Sequence, residues 1–412
     1  MNLVAWKSDG LWRAFEDSCP HRCAPLSEGR IEDGCLLCSY HGWQFDGEGG
    51  CAKLPYSPAG LEERHKGHRK SRCRTFPTRV AHGLLFVFPG DPSQASETKL
   101  PLISEFEEAR WDWKIPAGVR DFPCSWDAMV ENTLDPAHFC AAHHGTLGNR
   151  YTDPRPYAFK AERPIETKTG FAVSGDFGRL EFLPPCLVTF SPDYPGMPFG
   201  GSLVLATYCV PTKPGYVRPL ATVLLDKNAT LGTTLSERAL GIFMSRWTPD
   251  WFGHVASSFV LHQDATLLYH QSRNLRDQGL IAPERPGVAY EHLVYAPTSA
   301  DMGILMFRRW LHKHAGSGVP WACADVLPAR GTEDVFDVWH AHTKNCAYCT
   351  QAYSNLQTAK HLALLALAAA LVFMPQGADR AIVSVLSAAT AAALHKFNSL
   401  FLRYDFSHAD ND

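Results

Sequence analysis

Four residues define the first chemistry open to this chain. Cys19 and His21 are spaced Cys-x-His, Cys38 and His41 are spaced Cys-x-x-His, and sixteen residues separate the two pairs. Two thiolates and two imidazoles are the ligand set of a Rieske-type [2Fe–2S] centre, with the cysteines on one iron and the histidines on the other. The neutral histidines raise the reduction potential above that of an all-cysteine cluster. Pro20 and the glycines Gly47, Gly49 and Gly50 punctuate two loops suited to clamping a cluster from opposite sides. A structural zinc site uses the same residue types. Finger spacings usually put both cysteines in one half and both histidines in the other, whereas each half here carries one of each. Cys19-x-His21 is also tighter than the common finger spacings.

A second constellation lies in the run Glu131–His144, where four residues separate His138 from His143. Two histidines and a carboxylate on one face of Fe(II) leave positions open for O2 and substrate. A centre that carries single electrons needs an acceptor, which favours the iron-ligand role over a structural one for both histidines. Residues five apart on a regular helix point about 140° apart, so a helix must end or distort between them. His144 then points elsewhere, into a structural or supporting role. Asp135 stands before Pro136, and a plain helix-capping role is open to it. The third ligand must come from far along the chain. Asp264, in Val260–Gln271, is the first candidate, with Asp226 and Asp250 behind it.

The run Trp339–Cys349 ends in Cys346-x-x-Cys349. Such a pair exchanges with a dithiol, and local charge tunes its thiolate reactivity. His342 and Lys344 are placed to lower the thiol pKa. Zinc ligation with His340 and His342 is the competing chemistry. Beyond it, Leu362–Ala378 and Ala381–Leu394 hold no charged residue. A membrane-spanning helix needs about twenty residues, so each run is marginal. Lys360 and His361 precede the first, Lys396 and Arg403 follow the second, and Asp379-Arg380 lies in the turn. A hairpin therefore puts its basic flanks on one side, as the positive-inside rule expects. The soluble alternative is an Ala-rich hairpin packed on the body or on another subunit.

The chain has 412 residues, 45% hydrophobic and 20% charged, which is ample for two folded domains. The net charge of −3 comes with no long basic run, so there is no electrostatic footprint for nucleic acid. The 13 cysteines sit in a chain too long for a disulfide-stapled mini-domain. Outside the motifs, Cys23, Cys35, Cys51, Cys73, Cys124, Cys140, Cys186, Cys209 and Cys323 read as buried free thiols.

Short runs such as Leu3–Trp6, Leu11–Phe15, Leu36–Ser39 and Leu84–Phe88, broken by Gly, Asp and Pro, form an all-β pattern over 1–92. Asp91–Glu97 is a polar linker. The second unit, 100–335, carries a helical pattern around Trp126–His144. Strand-like runs follow at Phe171–Ser174, Leu187–Phe190, Leu203–Val210 and Leu220–Leu225, then helical patterns at Leu235–Ser245 and Phe252–His270. Helices beside a long antiparallel sheet indicate α+β.

Cys19-Pro20-His21-Arg22 with Pro25–Gly29, then Cys38–Phe45, resembles the Rieske domain of the plant and algal pheophorbide a oxygenase family. That family includes a Rieske protein of the chloroplast inner-envelope translocon and related chlorophyll-pathway oxygenases. The C-terminal Cys-x-x-Cys is similar to a signature of the same family, and the resemblance extends over nearly the whole chain. It implies an α+β fold, with an all-β Rieske [2Fe-2S] domain (1–92) followed by a helix-grip (START-like) mononuclear-iron domain (100–335). A Cys-x-x-Cys redox segment (336–355) and a candidate transmembrane hairpin (360–396) complete it. Cys19, His21, Cys38 and His41 would hold the cluster, and His138, His143 and Asp264 the mononuclear non-haem Fe(II). Asp135 would hydrogen-bond the iron-ligating histidine and, across a subunit boundary, a cluster histidine. Asn132 would support the same site.

The implied activity is that of a Rieske-type oxygenase inserting oxygen from O2 into a chlorophyll-derived tetrapyrrole such as pheophorbide a. Related members imply protochlorophyllide, chlorophyllide or a linear tetrapyrrole as alternatives, or a redox-sensing Rieske component of a chloroplast envelope complex. The implied partners are a ferredoxin-like electron donor, a thioredoxin at Cys346/Cys349 and two further copies in a homotrimer. The implied location is a chloroplast membrane, thylakoid or inner envelope, with the folded domains on the stromal side. Members of the family normally carry a targeting segment and further Rieske sequence upstream, so those are expected to lie outside this chain. Phe182, Phe190, Tyr194, Phe199 and Tyr208 are candidates to line a cavity for a flat apolar substrate, although core packing suits most of them.

Overall fold

The computed structural model describes residues 2–193, 203–227, 248–280, 290–316, 318–319, 321 and 334–409. They fall into two compact units, Met1–Leu102 and Ile103–Asp412. The expected helix at Leu235–Ser245, Tyr194, Phe199 and Cys323 lie outside the described residues.

The first unit is built from short antiparallel strands. β1 (Leu3–Ser8), β2 (Leu11–Glu16) and β7 (Thr75–Phe76) form one sheet. β3 (Arg30–Glu32), β4 (Cys35–Leu37), β5 (Gln44–Phe45) and β6 (Cys51–Lys53) form a second, and β8 (Thr78–Ala81) pairs with β9 (Leu84–Val87). Two-residue turns at Asp9-Gly10, Asp33-Gly34 and His82-Gly83 join neighbouring strands, and all six residues have positive φ. That is the turn whose twist suits a tight hairpin, and it explains the aspartates and glycines that broke the pattern in sequence. Trp6, Phe15, Leu26, Leu36 and Phe45 make the core. A short helix, α1 (Glu62–Lys66), lies on the surface.

The second unit carries an antiparallel sheet in the order β10-β16-β15-β14-β13-β12-β11. The strands are β10 (Trp111–Val119), β11 (Phe159–Glu166), β12 (Gly170–Gly175), β13 (Gly178–Leu183), β14 (Leu187–Pro192), β15 (Leu203–Lys213) and β16 (Tyr216–Asp226). From β11 to β16 the chain meanders, and β10 then pairs with β16. Against the sheet pack α2 (Trp126–Thr133), α4 (Asp250–Asp277) and α6 (Met302–His314), with short helices α3 (His138–Ala142) and α5 (Tyr290–Leu293) between them. Phe182 packs edge-on to Phe307 and Trp310, and Phe182, Phe190 and Tyr208 are all buried, in keeping with core packing.

The helical pattern around Trp126–His144 is two helices, not one. Pro136 lacks the N–H a continuous helix needs, and the helix is interrupted between Thr133 and His138. A buried ion network ties α2 to α6. Arg308 pairs with Asp127 at 2.6 Å and also with Glu131. The two acids sit four apart, on one face of α2. Burial pushes Glu131 up to about 7 even beside the guanidinium. Removing Arg308 alone would strand two buried acids, the costly way to break such a network.

After α7 (Val338–Ala341) the chain forms an antiparallel hairpin of α8 (Ala347–Phe373) and α9 (Ala378–Ser399). Its base packs on α4 through Val255, Cys349, Ala352 and Phe401. Farther out, Leu365, Val372, Phe373, Val385 and Leu386 are exposed. By length and composition α8 is able to cross a membrane.

Candidate metal centres

Two loops of the first unit present the four cluster candidates. Each begins at a buried cysteine whose carbonyl accepts from the N–H four residues on: Cys19 from Cys23, and Cys38 from Gly42. Each closes at that fourth residue with positive φ, 57° at Cys23 and 69° at Gly42. A Cβ at residue 42 would also press on Pro55 at 3.3 Å. The loops therefore turn alike and bring the two cysteines and the two histidines together in pairs. The His21 and His41 rings stand 4.5 Å apart, and His21 stacks on Trp43. The cysteines lie inside while His21 is exposed and His41 partly so. Burial, with the neighbouring Cys38, pushes the Cys19 thiol up to about 12. A buried thiol in that state becomes a thiolate when a metal binds it, and paired cysteines inside with paired histidines outside suit the two irons of a Rieske cluster.

In the second unit, His138, His143 and Asp264 converge, each offering a ligand atom within 4.8 Å of the others. α3 ends at Ala142, and His143 turns out of the helix at φ −100°, ψ 32°. That break lets two residues five apart face one point. Asp264 comes from the middle of α4, with Oδ2 3.3 Å from His143 Nε2 and Oδ1 4.0 Å from His138 Nε2. His138 Nδ1 donates to the Asp135 carbonyl at 2.6 Å, and His143 Nδ1 donates to Gln263 Oε1 at 2.9 Å. Both rings thus keep their Nε2 lone pairs for the shared point. Asp264 Oδ1 is buried without a hydrogen-bond partner. Three bases with one orphaned anionic oxygen suit a divalent metal held by a facial triad. Burial alone would lower His143, but the Asp264 carboxylate overrides it and raises the ring.

The alternatives to Asp264 are elsewhere. Asp226 lies 3.9 Å from Arg110 at the end of β16, and Asp250 opens α4. Asp135 touches His138 through its main-chain carbonyl. Its carboxylate accepts from the Ala137 N–H and stands 3.8 Å from His138 Nδ1. His144 accepts from the Arg150 N–H, a structural role.

Sequence reasoning passed over Gln263, which sets the tautomer of His143 and also accepts from Thr146 at 2.9 Å. Its only signal was its place next to Asp264. Replacing it with leucine is expected to weaken mononuclear iron binding by roughly 10–100-fold while leaving the Rieske EPR signal intact. Chelator-challenged iron analysis reads this directly; iron retention equal to that of the parent would remove Gln263 from the site.

A cavity of about 560 Å³ opens onto His138 and Asp264. Leu267, Leu268, Leu275, Val294 and Ile304 supply apolar wall, and Asn132, Gln271 and Asn274 supply amides. That volume and mixture are typical of small-molecule sites.

Cys346 caps the start of α8 and Cys349 lies in its first turn. His342 is beside them, but His340 turns outward to the Asp337 carboxylate at 2.7 Å. The second imidazole at the cysteines is His254 of α4.

Residues 1–77 match the Rieske [2Fe-2S] domain, and residues 182–280 match the pheophorbide a oxygenase domain. The chloroplastic pheophorbide a oxygenase of Oryza sativa subsp. japonica is 31% identical over 439 aligned residues, covering 100% of this chain and 80% of that protein. The chloroplastic protochlorophyllide-dependent translocon component 52 of Arabidopsis thaliana is 28% identical, over 86% of this chain and 69% of its own. Among solved structures, NdmA of Pseudomonas putida CBB5 shares the fold, with a TM-score of 0.55 at 21% identity over 76% of this chain and 80% of that one. The similarity to the rice protein runs from end to end and takes in both metal-binding regions, so the chain belongs to the pheophorbide a oxygenase family of Rieske non-haem iron oxygenases.

Proposed function

We propose that this enzyme oxygenates a chlorophyll-derived tetrapyrrole, with pheophorbide a as the substrate. The observation that supports the substrate class is the cavity beside His138 and Asp264, large and mainly apolar in surface, with Glu131, Asp135, His270 and three amides among its polar groups. The rice relative's name supplies the specific compound.

When bound, a Rieske cluster would supply single-electron chemistry and a mononuclear iron would supply a site for O2 activation. Cys19, Cys38, His21 and His41 would hold the first, and His138, His143 and Asp264 the second. Gln263 and the Asp135 carbonyl keep Nδ1 of each imidazole as a donor, so that Nε2 stays aimed at the shared point. Asp135 and Asn132 act as positioning residues, the first through His138 and the second through its amide at the cavity wall. The leucines of α4 exclude water and orient the ring system. We assign the electron supply to a ferredoxin-like protein and the assembly to a homotrimer in which Asp135 links one subunit's iron site to the next subunit's cluster.

The relatives are chloroplastic, and chloroplast location follows for this chain. The exposed apolar half of the α8–α9 hairpin supports insertion into a chloroplast membrane. Its basic flanks favour placing the folded units on the stromal side.

One experiment joins these claims. The full chain, loaded with iron and reduced anaerobically, is reconstituted with phospholipid vesicles, floated on a density gradient, and mixed with isotope-labelled O2 and pheophorbide a. It should float as a trimer and put label into a ring-opened product. No label in that product, with the cluster visibly reoxidised, would overturn the substrate; protochlorophyllide is then the next compound. A chain left at the bottom of the gradient would overturn membrane insertion.

A further inference from the structure

We propose that His254, His342, Cys346 and Cys349 form a closed, structural zinc site at the base of the C-terminal hairpin, separate from both iron centres. The four residues come from three places in the second unit. His254 lies in the first turns of α4, His342 follows α7, and the two cysteines open α8. Each offers one atom, and all four atoms lie within 4.8 Å of one another.

The edges match a metal's coordination shell. His342 Nε2 is 3.2 Å from His254 Nδ1. Cys349 Sγ is 3.3 Å from His254 Nδ1 and 3.3 Å from His342 Nε2, and Cys346 Sγ is 3.5 Å from His254 Nδ1. A tetrahedron with metal–sulfur bonds of about 2.3 Å and metal–nitrogen bonds of about 2.0 Å has nitrogen–nitrogen edges of about 3.3 Å and nitrogen–sulfur edges of about 3.5 Å. The observed separations reproduce that figure on every edge given. Cys-x-x-Cys is a zinc-chelating spacing, and a two-sulfur, two-nitrogen tetrahedron selects zinc among common divalent metals.

The surroundings are those of a structural site. His254 and Cys349 are 4% and 1% exposed, His342 is 9% exposed, and Cys346 is half-buried. Four protein ligands leave no position for water or substrate, which separates this site from the open triad at Asp264. Val255, Ala352 and Phe401 pack around it. The site joins the root of α8 to α4, ten residues before Asp264 on the same helix, about 15 Å away at the rise of an α-helix. Zinc here would fix the hairpin to the helix that carries the iron carboxylate. It would also occupy both thiols, in opposition to a dithiol–disulfide exchange with a thioredoxin.

Metal analysis and zinc-edge X-ray absorption on the full chain, isolated from zinc-containing medium, test the proposal. The expected result is one zinc per chain beyond the iron, surrounded by two sulfurs at about 2.3 Å and two nitrogens at about 2.0 Å. Cys349→Ser and His254→Ala should lose that zinc while keeping the Rieske EPR signal. His143→Ala should keep the zinc, which distinguishes this site from zinc misloaded at the iron triad. The absorption spectrum of the unaltered chain decides the matter even where a variant fails to fold. Zinc absent from that chain, or bound with no sulfur neighbour, overturns the proposal. So does a Cys346–Cys349 disulfide that forms in air and reopens with thioredoxin, because both sulfurs would then be free of metal.

Discussion

Asp264→Asn is expected to empty the mononuclear site and abolish label incorporation, while the Rieske spectrum stays unchanged. The substitution preserves volume, so packing in α4 changes little. What it removes is the anion. Asp264 is the acidic member of the triad, with one oxygen 3.3 Å from His143 Nε2 and the other unpartnered. The amide oxygen there is a weak neutral ligand, and the amide NH2 can donate to His143 Nε2, occupying the lone pair the metal needs. The loss should exceed the roughly 10–100-fold cost of removing a supporting partner. Iron per chain and labelled product are measured on one sample, with cluster EPR as the internal control. Parent-level iron in this variant would show that the carboxylate comes from elsewhere in the chain.

The two metal regions were unequally legible in the sequence. Cys19, His21, Cys38 and His41 sit on loops closed by local turns, so their spacing alone carries the geometry. His138 and His143 converge on one point with Asp264, and the helix break demanded by their spacing is present at His143. Asp264 is another matter, since no local period says which distant aspartate folds back. Gln263 and His254 escaped notice because each acquires its role only when α4 packs against segments roughly ninety or more residues away. His340 illustrates the converse. It stands close in sequence to the cysteines, just before His342, but a helix-capping aspartate draws it outward, and a residue from another helix stands in its place. Strands β12, β14, β15 and β16 were legible as apolar runs bounded by Pro and Gly, whereas β11 and β13, richer in charged residues, were not. The Arg308–Asp127–Glu131 network was not, because buried ion partners are chosen by tertiary contact between α2 and α6.

Replacing both outer ligands, His21→Cys with His41→Cys, is expected to lower the cluster potential by a few hundred millivolts, toward the roughly −400 mV of plant-type ferredoxins. The cause is charge: two neutral imidazoles become two thiolates on the same iron, and the oxidised form gains the greater stabilisation. Placement favours assembly of the variant. The substituted residues lie at the exposed side of the loops, whereas Cys19 and Cys38, inside, keep their turns. Protein-film voltammetry measures the shift. A potential that does not move would mean that the imidazoles are not on the metal. The change also separates two halves of the proposed reaction. Filling the cluster from a ferredoxin-like donor becomes harder as its potential approaches the donor's, while passing the electron on gains driving force. Steady-state turnover with that donor should therefore fail, yet a sample reduced in advance by a stronger chemical reductant should still put labelled oxygen into product. If both fail with the cluster assembled and reduced, His21 or His41 does more than hold iron, and the exposed imidazole edge becomes the route by which the electron leaves.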